Sequence, residues 1–125
     1  MVGLEKNRLE RYGVDANRVK GIIPFSGQMI THFEERRVRG MSDKLPLVDK
    51  MAPLYHVRGD AAPILLLTGD REREMLGRYE ENAYMYRMLR LVGHKDVTLY
   101  EFDGYGHDMC VPGYPMLMQF VKEHK

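Results

Sequence analysis

The sequence predicts an α/β fold: about three parallel strands in a three-layer arrangement, with helices on both faces. Two observations carry this. The run "APILLLTGD" (Ala62 to Asp70) has consecutive rather than alternating apolar residues, as expected of a strand covered on both faces of a parallel sheet. A helical pattern and a second strand-like run, "DVTLYEF", follow it directly, and strands separated by helices of this length form βαβ units.

The other elements follow in chain order. The first dozen residues read as the end of a mostly polar helix, with Gly13 at the position just past its C-cap. "VKGIIPFSG" (Val19 to Gly27) is a short β-branched run bounded by glycine and is expected to be the first strand. Residues 28–60 form an irregular, partly helical, cap-like excursion. Its charged block, Glu34 to Arg39, reads as a solvated helical face, and "PLVDKMAPLYHV" as a short helix interrupted at Pro53. After the Ala62 to Asp70 strand, Leu76 to Val92 reads as a helix with Met85, Met88, Leu89 and Val92 on one face and Gly93 ending it. "PGYPMLMQFVKEHK" is a terminal helix with Pro112 or Pro115 near its start.

Composition bounds the function. A chain of 125 residues is expected to be a single domain with a modest core. Its 19 basic and 18 acidic residues give a net charge of +1, which argues against nucleic acid or an anionic membrane as partner. No apolar run reaches the roughly 20 residues that span a bilayer, and "MVGLEKNRLER" turns charged too early for a signal peptide. With Cys110 the only cysteine, no internal disulfide can form. A cytoplasmic location is the expectation. No zinc-like Cys/His spacing occurs, so no metal or other cofactor is expected.

The chemistry-bearing residues lie after strand ends, where parallel sheets place their ligand sites. Gly69-Asp70-Arg71-Glu72 follows one carboxyl end, and Gly104-Tyr105-Gly106-His107 follows the next. An acid and a histidine on one rim point to acid–base chemistry, with His107 as general base.

These segments resemble the C-terminal half of an α/β-hydrolase of the esterase/lipase type, over nearly the whole chain. "YGVDANRVKGIIPFSG" resembles the approach to strand six, "APILLLTGDRE" strand seven with its acid loop, and "VTLYEFDGYGHDM" strand eight with its histidine loop. The resemblance implies a carboxylic ester hydrolase acting on a small-molecule ester. The family's order is nucleophile, acid, histidine. Acid and histidine stand here in that order, but no G-x-S-x-G occurs, so no nucleophile is assigned and the chain alone is expected to be inactive. The family's G-x-x-D spacing lands on Glu72, the acid favoured here, with Asp70 the alternative, bracing the loop or capping the next turn.

The remaining candidates are weaker. Ser26 is the nearest substitute nucleophile but lacks the strand–turn–helix setting that exposes a hydroxyl. Cys110 lies three residues past His107, and an inert thiol is the expectation. His32 is assigned a packing or surface role, and His56, His94 and His124 structural or exposed ones. The resemblance also leaves the 19–27 strand at an open sheet edge. A homo-oligomer, or completion by a missing N-terminal half in another chain, is therefore expected. A non-catalytic self-associating domain is the alternative.

Overall fold

A computed structural model describes residues 1–125. The centre is a parallel pair, β1 (Ile64–Gly69) and β2 (Val97–Phe102), in register from Ile64 opposite Val97 to Gly69 opposite Phe102. Helix α3 (Arg78–Leu91) connects them, and α4 (Cys110–Glu123) follows β2. All six residues of β1 are buried, as its continuous apolar run requires, whereas β2 alternates between half-buried Val97 and Leu99 and exposed Thr98 and Tyr100.

The alternation of β1 divides the core between its two faces. Ile64 and Leu66 pack with Met85 and Leu89 of α3 and with Leu4, Met29 and Leu54 from the N-terminal half. Leu65 and Leu67 face the other way, against Met109 and Phe120. Helices therefore cover both faces, and the α/β class holds.

The expected third strand does not form. The 19–27 segment touches β1 only through isolated parallel bridges, Ile22 to Ile64 and Phe25 to Leu67, so the sheet has two strands. The cause is Pro24. The Ile22 amide donates to Pro63 O at 2.8 Å and the Ser26 amide to Leu67 O at 2.7 Å. The residue between them that faces β1 is proline, which has no N–H to continue the ladder.

The shorter elements also adjust the sequence expectations. Helix α1 is one turn, Asn7–Glu10. Gly13 at φ +71° ends the region, with the Val14 amide reaching back to Leu9 O at 3.1 Å. Pro53 starts a 3-10 turn (Pro53–His56) rather than interrupting a helix. Helix α2 (Phe33–Val38) is not wholly solvated, because Arg36 points inward and is only 4% exposed. Helix α4 starts at Cys110, ahead of both prolines, and carries Pro115 inside it.

Candidate functional site

The loops after β1 and β2 are joined backbone to backbone. The Asp70 amide donates to Tyr105 O at 2.7 Å. Asp70 Oδ2 accepts from the Gly104 amide at 3.0 Å, and Oδ1 from the Glu72 amide at 2.9 Å. Gly69 lies between the loops, where a Cβ would come within 2.2 Å of Gly106 O, so only glycine fits. These contacts fix where the histidine loop stands. The Gly104 and Glu72 amides hold the Asp70 carboxyl below its ordinary range.

The acid on the histidine is neither of the two expected. Glu72 makes no hydrogen bond or ion pair with His107, and Asp70 is occupied with loop amides. A turn formed by the Arg73 and Glu74 amides donating to Asp70 O brings Glu74 back beneath the end of β1. Its side chain has 0% exposure, and Oε1 lies 3.0 Å from Nδ1 of His107, whose own side chain is 54% exposed. Glu74 Oε1 also accepts from the Met75 amide at 3.1 Å. Burial by itself pushes the Glu74 carboxyl up. Hydrogen bonds from Ser26, the Met75 amide and His107 outweigh that and hold it below its ordinary value. Asp70 thus keeps the bracing role considered for it, and Glu74 replaces Glu72 as the partner of the imidazole.

Ser26 completes the cluster. Its hydroxyl hydrogen-bonds Glu74 Oε2 and lies 2.9 Å from His107 Nδ1. A carboxylate can only accept, so Nδ1 carries the proton toward Glu74, and the Ser26 hydrogen points to the other carboxylate oxygen. This leaves Nε2 of His107 as the basic nitrogen, and no side chain of the chain bonds it. Ser26 is 3% exposed and sits on the acid side of the ring, which suits holding the carboxylate better than attacking a substrate.

Ser26 is also the one non-glycine residue at positive φ, +47°. That conformation costs about 1–2 kcal/mol and needs outside support. The N-terminal part of α3 supplies it. Arg78 Nη1 donates to Ser26 O, and Asn82 Nδ2 donates to Gly27 O at 2.7 Å. Glu81 Oε2 accepts from the Met29 and Ile30 amides at 3.2 and 3.0 Å, and Oε1 pairs with Arg78 Nε at 3.0 Å. Burial raises the Glu81 carboxyl above its ordinary value despite these partners.

The other histidines have structural partners. His32 Nδ1 accepts from the Glu34 amide at the start of α2, and His56 Nε2 lies 2.8 Å from Lys50 O. His94 Nε2 is 3.0 Å from the Ala61 and Ala62 carbonyls, and His124 pairs with Asp96 at 2.8 Å. Cys110 is a free, half-buried thiol at the start of α4, with no hydrogen bond to His107. No group of His, Cys, Asp and Glu has the arrangement to hold a metal ion. No helix is long and apolar enough to cross a membrane.

The sequence carried a partial signal for Glu74. The acids of "DRERE" recur at every second residue, and only the third stands four residues past Asp70, one helical turn away. Comparison with protein-family models, with curated proteins and with solved structures finds no match to this chain.

Proposed function

We propose that this chain carries the acid–base part of a carboxylic ester hydrolase site, with His107 as general base and Glu74 as the acid that orients it. The observation behind this reading is a fully buried carboxylate on Nδ1 of a half-exposed imidazole whose Nε2 is free. In that arrangement Nε2 takes the proton of a hydroxyl as its oxygen attacks the ester carbonyl. The imidazolium so formed is stabilised by Glu74, and its proton is then passed to the departing alkoxide. Ser26 holds the free carboxylate oxygen of Glu74. The attacking hydroxyl is supplied from outside these 125 residues, because no serine among them stands at Nε2. The resemblance to esterases described above supports ester chemistry over other acid–base reactions.

An assay with a short-chain aryl ester tests this. The chain alone should run at background. Activity should arise on supplying an upstream segment that carries G-x-S-x-G, fused to this chain or added separately, and fall by at least about a thousandfold in His107→Ala. Stoichiometric phosphonate labelling of Ser26 in the isolated chain, with turnover lost in Ser26→Ala, would instead make Ser26 the nucleophile and overturn the reading that the hydroxyl comes from outside these residues.

A further inference from the structure

Arg36 lies in a charged block that would ordinarily be solvated, yet it is only 4% exposed. Burying a guanidinium costs free energy unless it is paired. Its neighbours on α2 have carboxylates: Arg37 pairs with Glu34, and Arg39 with Glu35 and Asp49. Arg36 has none. Its Nε donates to Thr31 O at 3.0 Å and its Nη1 to Leu45 O, while Nη2 has no partner within the chain.

The residue lines an open depression of about 260 Å³ between α2 and the start of α3. Arg78 and Glu81, also in its wall, neutralise each other at 3.0 Å. What remains is Arg36 and Lys44 against the single acid Asp43, none of them in an ion pair, so the depression has an excess of one positive charge. The rest of its wall includes the apolar side chains of Ile30, Phe33, Met75 and Leu76. A guanidinium with free N–H groups is a planar donor matched to carboxylate geometry. The volume lies near the low end of ligand pockets, roughly 300–1,000 Å³, so the ligand is small.

We propose that this depression binds a small carboxylate with an apolar body, its carboxylate on Nη2 of Arg36 with Lys44 beside it, and its apolar part against Ile30, Phe33 and Met75. The site stands whether or not His107 serves ester hydrolysis, because binding is read without turnover.

Titration of the whole chain with 4-phenylbutyrate, followed by amide and Arg36 Nε–H resonances, tests it. Saturable shifts confined to Arg36, Ile30, Phe33 and Met75 are expected at millimolar ligand. 4-Phenylbutanamide, the neutral counterpart, should bind at least about tenfold more weakly. Arg36→Gln should lose binding. Because Arg36 also bridges two carbonyls and its replacement can unfold the loop, two rim variants provide an independent reading. Lys44→Ala should weaken binding about threefold and Asp43→Asn strengthen it by a similar factor. Equal binding of acid and amide, absence of a saturable shift, or affinities unmoved in both rim variants would each overturn the proposal.

Discussion

Glu74 meets His107 through Nδ1, with Oε1 3.0 Å from the ring nitrogen and the carboxylate buried beneath the half-exposed imidazole. Because the Ser26 hydroxyl approaches the same nitrogen at 2.9 Å, both polar partners of the ring lie on one side and Nε2 is left for chemistry. The first consequence concerns the tautomer.

In the wild-type chain, neutral His107 should carry its proton on Nδ1, where the Glu74 carboxylate accepts it. Long-range nitrogen–proton spectra of the ring report this directly. Glu74→Gln should move the population toward the Nε2–H form, whereas Glu72→Gln should leave the spectrum unchanged because Glu72 has no hydrogen bond to the ring. A change in the Glu72 variant equal to that in the Glu74 variant would contradict the assignment.

The same pair sets an acid limit. Glu74 has its folded-state carboxyl held below the ordinary 4.5. Its contribution to stability is therefore fully present above that value and is lost as pH falls through the lower folded one. Denaturant midpoints taken from pH 6 downward should fall more steeply for the wild-type chain than for Glu74→Gln once the pH passes below 4.5. The background slope comes from groups such as Asp49 and Asp60, each lowered to about 2 by its pairing with Arg39 or with Lys6 and Arg58, and is common to both proteins. Parallel slopes would show that Glu74 titrates as an ordinary carboxyl.

Gly69 gives a test of how the two loops are joined. A methyl there would stand 2.2 Å from Gly106 O and 2.6 Å from Tyr105 O, both backbone atoms that cannot swing aside. Gly69→Ala should cost about 1–3 kcal/mol, the usual range for overpacking. It should also displace the histidine loop, so the His107 spectrum changes along with the melting temperature. A melting change without a spectral one would mean that the loops are not coupled through this contact.

What was legible in the sequence follows from which forces act locally. The continuous apolar run of β1 and the pattern of α3 are set by burial, and both were readable to within about two residues. The place of His107 was readable from its glycine-rich turn just past the β2 run. The choice among Asp70, Glu72 and Glu74 was not, because it depends on a turn closed by amides on Asp70 O and on contacts with a loop more than thirty residues away. Ser26 was underrated because the support for its left-handed backbone comes from Arg78 and Asn82, more than fifty residues along the chain. The missing strand is a different case. Pro24 was visible, but the side of the segment that pairs with β1 was not, and Pro24 breaks a ladder only if its nitrogen faces the partner.

That segment leads to the last prediction. Ile22 and Ser26 donate toward β1, so the amides and carbonyls of Gly21, Ile23 and Phe25 face away from the sheet, and none of them has a backbone partner. Such an edge pairs readily with another chain, and each bond formed contributes on the order of 1 kcal/mol. In a solution of this chain alone, the available partner is a second copy. We therefore expect concentration-dependent self-association at micromolar levels in sedimentation, accompanied by slower exchange of the Ile23 and Phe25 amides. Ile23→Lys, which places a charge beside the edge, should shift the equilibrium toward monomer, and because Ile23 packs against the Leu65, Leu67, Met109 and Phe120 cluster it should lower the unfolding midpoint as well. A segment that supplies the hydroxyl at His107 Nε2 and pairs with the same edge, on this chain or another, should compete with self-association. A monodisperse monomer whose Ile23 and Phe25 amides exchange as fast as exposed loop amides would show that the edge stays open, and would remove self-association as a reading of this surface.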